Sequence, residues 1–99
     1  MRYEVRYTDK ARADLFRLTD FLSDVSPDAA ARALDTIIAA TSILEQFPFT
    51  CRKADPATPF LRELVVPFGS GGYVALFLIE NAHVTIVAIR HQREDDFFF

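Results

Sequence analysis

The stretch HVTIVAIRHQRE, residues 83–94, decides how this chain is read. Its first eight residues are β-branched and aliphatic at most positions, which suits a strand buried in a sheet. The apolar run stops at Arg90, and His91, Gln92, Arg93 and Glu94 follow, then Asp95 and Asp96, then Phe97, Phe98 and Phe99. A buried strand that ends in a polar cluster, with three aromatic residues beyond it where chain ends are ordinarily mobile and wet, asks for a partner or a site.

Upstream, YVALFLIE (73–80) reads as a second strand, joined to the first by a tight turn at Asn81 and Ala82. The glycine-rich GSGG (69–72) separates it from FLRELVV (60–66) and is a hairpin turn, because it lies between two strands and no helix follows, as a phosphate loop requires. These three segments form an antiparallel meander. Residues 48–59, PFTCRKADPATP, hold three of the five prolines and are expected to be loop throughout.

The first half reads differently. YEVRY (3–7) alternates like a short half-buried strand. Thr8 is placed as an N-cap before a helix over residues 9 to about 24, with Ala11, Leu15, Leu18, Leu22 and Val25 at helical spacing. Ser26 and Pro27 restart a second helix, whose stripe Ala30, Leu34, Ile37, Thr41, Leu44 and Phe47 runs up to Pro48. So short a link makes the two helices an antiparallel hairpin. The expected fold is α+β over residues 1–99 as one domain: a short N-terminal strand, the helical hairpin, then the three-stranded meander, with both helices on one face of the sheet. The other sheet face, or the groove beside the helices, is left without a cover.

Composition narrows the function classes. Of 99 residues, 51% are hydrophobic and 25% charged, which excludes a disordered chain. The longest apolar run, residues 73–79, is far short of a membrane span of about 20 residues, and the first residues carry no signal-like apolar run, so a soluble cytoplasmic protein is expected. The net charge of −3 lacks the positive footprint of a dedicated nucleic-acid binder. Ten phenylalanines accompany no tryptophan, and some of that aromatic surface is available for a partner. Cys51 is the sole cysteine, which rules out a disulfide framework. Asp95 and Asp96 are adjacent and would point to opposite sides of an extended segment. No metal site, cofactor or catalytic residue is expected.

The remaining constellation is basic: Arg62 in the strand after the proline-rich loop, and Arg90, His91 and Arg93 at the end of the last strand. In a meander these can meet in one patch, with guanidinium forks suited to phosphate or carboxylate and an imidazole able to exchange a proton near neutrality. Local pairing with Glu63, Glu94, Asp95 and Asp96 is the alternative.

The apolar strand running into IRHQRE resembles the closing motif of ParE-type toxins, within the wider RelE/ParE toxin–antitoxin superfamily. YTDKARADLFRLTDFL resembles that family's first helix, and residues 47–80 resemble its loop, its arginine-bearing strand and the following GY strand. The resemblance implies the toxin of a plasmid-stabilisation module, a hetero-oligomer with a cognate ParD-like antitoxin, and DNA gyrase as target through protein–protein contact without direct nucleic-acid binding. RelE-type relatives instead imply a ribosome-dependent endoribonuclease. Arg62, Arg90, His91 and Arg93 match family positions. Together with Phe97 and Phe98 they are the expected partner-binding residues. Two departures stand out: Val74 follows the GY tyrosine where a basic residue is common, and Asp95 and Asp96 follow HQRE where small residues are common.

Overall fold

A computed structural model describes residues 2–97. Strand β1 (Glu4–Tyr7) leads into helices α1 (Asp9–Ser23) and α2 (Pro27–Ser42). After two short 3-10 turns come β2 (Arg52–Lys53), β3 (Leu61–Phe68), β4 (Gly71–Glu80) and β5 (His83–His91). The strands form one sheet in the order β1-β5-β4-β3-β2. The pairs β2–β3, β3–β4 and β4–β5 are antiparallel, while β1 runs parallel to β5.

Both helices start where their caps demand. Thr8 is extended and its Oγ1 accepts from the Ala11 N–H at 3.1 Å. Ser26 does the same for the Ala29 N–H at 3.2 Å, with Pro27 as the first helical residue. The buried positions step by three and four, Ala11, Asp14 and Leu18 on α1 and Ala30, Ala33, Ile37 and Thr41 on α2. They pack on one face of the sheet, against Val66, Tyr73, Ala75, Phe77, Ile79, Val84, Ile86 and Ile89. The Tyr7 hydroxyl meets the Thr41 hydroxyl at 2.5 Å and ties β1 to α2.

Three details differ from the sequence reading. The α-helical stripe of α2 stops at Ser42, where the Thr41 and Ser42 hydroxyls donate to the carbonyls of Ile38 and Ala39 and the chain tightens into a 3-10 turn. Phe47 is therefore turned out and is 56% exposed. The proline-rich loop contains a strand, β2, because Arg52 and Lys53 lie opposite Glu63 and Arg62 and Arg52 pairs with the Glu63 carboxylate at 3.1 Å. Val25 falls after the end of α1 and is exposed.

The turns match their residues. Gly69, at the first central position between β3 and β4, has φ +60, and Asn81 between β4 and β5 has φ +44. At Gly72 the constraint is space, since a Cβ there would lie 2.2 Å from the Val66 carbonyl oxygen.

The register of β5 decides where its polar end points. Phe77 lies opposite Ile86, but Leu76 lies opposite Ala88, so Val87 is an extra residue in a β-bulge. Before it, Val84 and Ile86 face the helices; after it, Ile89 does. Because side chains alternate, one inserted residue exchanges the two faces for everything downstream. His91 pairs with Tyr73 on the helix side, and Arg90 pairs with Val74 on the opposite side, where Val74, Leu76 and Ala88 are buried although no helix covers them.

The first turns of α1 hold this bulge in place. The Thr8 N–H donates to the Ile86 carbonyl at 3.0 Å and the Thr8 hydroxyl to the Val87 carbonyl at 3.3 Å. Strand β1 ends opposite Ile86, so the edge of β5 beyond it lacks a strand partner. The buried Asp14 carboxylate supplies one: Oδ2 accepts the Ile89 N–H at 2.9 Å, and Lys10 Nζ closes the ion pair at 2.6 Å. Replacing Asp14 by Ala orphans the Ile89 donor and strips Lys10 of its counter-ion, which should cost about 2–3 kcal/mol. Asn, which keeps an acceptor, should cost about half of that. Urea unfolding midpoints check this, and equal midpoints for wild type and Asp14→Ala would show that the carboxylate does not hold the edge.

Candidate functional site

The end of β5 presents two chemically different halves. On the helix side, Leu18, Phe21 and Leu22 of α1 face Tyr73 and His91 across a groove of about 470 Å³, with Arg17, Arg93 and Glu94 at its rim. Phe21 is 75% exposed, a large apolar side chain beside a largely apolar cleft. The His91 ring stands edge-on to the Tyr73 ring, 5.6 Å between centroids at 84°. Its Nδ1 accepts the Arg93 N–H at 3.0 Å, so the neutral imidazole carries its proton on Nε2. Glu94 folds back beneath this turn: Oε1 accepts the His91 N–H at 2.9 Å, and its carboxylate pairs with Arg17 at 3.3 Å. Within the rim Glu94 thus answers Arg17, while Arg93 is an exposed cation.

On the side away from the helices, the Arg90 guanidinium is wrapped by the residues that follow it. Nη1 donates to the carbonyls of Glu94 at 2.7 Å and His91 at 3.2 Å, and the Phe97 ring lies 5.1 Å from the guanidinium carbon. Phe97 is half-buried there. Phe98, expected to join it in partner binding, lies outside the described residues, as does Phe99.

Arg62 does not join this cluster. It pairs with Phe77 and so shares the helix face with Val66, whereas Arg90 is on the opposite face, two strands away. Its donors are spent on the proline-rich loop: Nε on the Pro59 carbonyl at 2.7 Å, and Nη1 on those of Cys51 at 2.8 Å and Phe49 at 3.2 Å. The guanidinium also lies 5.3 Å from the centre of the Phe49 ring, which meets Phe60 edge-on. The single patch expected from a flat meander is therefore not formed, because strand register and the bulge send the two arginines to opposite faces. Burial holds the Cys51 thiol above its usual pKa, outweighing the opposing pull of the Arg62 charge and of Thr50, so it is a poor nucleophile near neutrality. Among the described residues no group of three or more His, Cys, Asp and Glu side chains is arranged to hold a metal ion. No helix among them is long and apolar enough to cross a membrane.

Sequence reasoning missed Asp14, Arg17 and Tyr73. The first carried a readable sign, an acid at i+4 from Lys10 on the buried stripe between Ala11 and Leu18. Tyr73 was read only as the start of a strand, and its place beside His91 depends on the bulge, for which the run Ile86, Val87, Ala88, Ile89 offers no polar marker.

The family described as ParE toxin of type II toxin-antitoxin system, parDE, matches residues 5–96. Toxin RelE3 of Caulobacter vibrioides is 36% identical over 85 residues, covering 86% of this chain and 89% of that protein. Toxin RelE1 of the same organism is 32% identical over 94 residues, covering 95% and 98%. A chain from the chromosomal ParDE TA system of P. aeruginosa shares the fold with a TM-score of 0.72 at 22% identity, over 95% of this chain and 98% of that one.

The groove wall has a titration consequence. Burial raises the Tyr73 phenol above 10.0. Its neutral form is the one the fold favours, so this contribution is whole below pH 10 and is lost as pH rises through the folded value. Tyr73→Phe should therefore flatten the fall of urea midpoints above pH 10; an unchanged slope would place the phenol in free contact with water.

Proposed function

Because the chain belongs to the ParE toxin family of type II toxin–antitoxin systems, we propose that it inhibits DNA gyrase by protein–protein contact and is silenced by a ParD-like antitoxin. Its action is then cytoplasmic, and its resting form is a hetero-oligomer, the arrangement a plasmid-stabilisation module uses. Residues 1–99 act as one domain in this reading.

The observation that carries the proposal is the separation of the basic residues. Cleavage of RNA needs a group that takes the 2′-hydroxyl proton beside one that stabilises phosphate charge. Here His91 is on the helix face with Nδ1 engaged, Arg90 is behind the sheet, and the Arg62 donors are turned into a loop. What the helix face does offer is an apolar groove with Arg93 at its rim, which suits the apolar face of a helix or strand carrying an acid. The antitoxin is placed there, with His91, Arg93 and Phe21 in contact. Burying one Phe is worth about 1.5–3 kcal/mol before ordering costs. The second reading, a RelE-like ribosome-dependent endoribonuclease, draws support from the relatives named Toxin RelE3 and Toxin RelE1.

One set of assays separates the two. The purified chain should block gyrase supercoiling, and antitoxin should relieve the block. Phe21→Asp should need at least roughly tenfold more antitoxin for equal relief, as the loss of one buried Phe implies. His91→Gln should leave gyrase inhibition within a few-fold. Messenger RNA cut on ribosomes by the wild type and left intact by His91→Gln would replace the gyrase reading with the ribonuclease one.

A further inference from the structure

We infer that Arg90 is a carboxylate-binding site, covered in the free chain by a displaceable strap formed from its own residues 95–97. Three observations support it. The guanidinium has no acid within ion-pair distance among the described residues, although Glu94, Asp95 and Asp96 lie within six positions of it. The nearest of these, Glu94, is turned away to Arg17 and the His91 N–H, and Asp96 accepts the Phe97 N–H at 2.8 Å. The cation is compensated instead by carbonyl oxygens on Nη1 and by the face of the Phe97 ring. Finally, its Nε is buried without any hydrogen-bond partner.

A buried, unmatched donor on a cation is costly. Nothing in the packing demands it, since the neighbouring turn has acids to spare. The guanidinium presents Nε and Nη2 as a fork whose spacing matches the two oxygens of a carboxylate. Nη1 is already committed to the turn at residues 91–94, so that fork is the part left to a ligand. A carboxylate there satisfies Nε and supplies the missing counter-charge. To admit it, the Phe97 ring must swing off the guanidinium, while the turn held by Glu94 stays. Phe97 is therefore a cover whose removal is traded against a better partner, and its ring–cation contact is part of the cost of opening.

The ligand is a carboxylate presented by a peptide, from an Asp or Glu side chain or from a chain terminus. The inference rests on the partner-binding reading of Arg90 only in naming a peptide as the source. Its test uses small molecules and needs neither gyrase nor antitoxin, so its failure and the failure of the toxin reading are told apart.

The test follows the Arg90 Nε–H resonance of the full, isotopically labelled chain by NMR. Three probes are titrated: N-acetylglycine, which carries a terminal carboxylate; the α-amide of N-acetylaspartate, which carries a side-chain carboxylate; and inorganic phosphate. At least one carboxylate should move the Nε–H signal downfield with a dissociation constant of roughly millimolar order, and the tighter of the two names the source. Phe97→Ala should tighten that binding about two- to fivefold, the range expected for a released cation–π contact. Arg90→Lys should abolish the response at the Gln92 and Glu94 amides. An Nε–H signal that no carboxylate moves, phosphate binding more tightly than either carboxylate, or Phe97→Ala weakening the binding would each overturn the proposal.

Discussion

One buried carboxylate organises the polar end of the sheet. Asp14 sits on the inner face of α1, where an acid is expensive to bury, and it is tolerated because partners converge on it: the Lys10 ammonium, the Ile89 N–H and, at 3.9 Å, the Arg17 guanidinium. The second of these is a strand donor that β1, ending opposite Ile86, leaves unmatched. With the Thr8 N–H bonded to the Ile86 carbonyl ahead of the bulge, α1 grips β5 on both sides of it. The helix therefore does more than cover the sheet. It fixes the parity of the strand beside it, and parity decides which of two adjacent residues, Arg90 or His91, faces the groove.

That division gives the two faces separate chemistry. The groove between α1 and β4–β5 is apolar, with an imidazole whose Nδ1 is already engaged and a rim where only Arg93 among the cations points free of an acid. On the proposed reading this surface serves a docked segment and not proton transfer. Behind the sheet, a guanidinium is folded under its own chain with one donor unmet. Arg90 and His91 lie on opposite faces, so these two do not form a phosphate clamp joined to a general base.

Much of the fold was legible because its signals are local. The caps Thr8 and Ser26, the helical spacing of Ala11, Leu18, Ala30 and Ile37, and the turns at Gly69 and Asn81 each follow from a few neighbouring residues. The short strand Arg52–Lys53 was hidden because its pairing comes from Glu63 and Arg62, about ten residues away, and prolines dominate its surroundings. The meeting of Arg62 and Arg90 was expected from strand adjacency alone. It failed because β3 and β5 are separated by β4 and because Val87 reverses the alternation beyond it. Alternation counted from Val84 and Ile86 puts Arg90 on the helix side, and nothing in four consecutive apolar residues reveals the slip. The residues proposed to carry function therefore lie in the part of the strand where pattern reading is weakest.

Nuclear Overhauser contacts from the Tyr73 ring measure that parity directly. The ring protons should report close contact with the His91 ring, with the Arg90 side-chain protons seen instead from the Phe97 ring. Contacts from the Tyr73 ring to Arg90 and none to His91 would mean a strand without its bulge. The groove, the strap and the separation of basic residues would then all be wrong together.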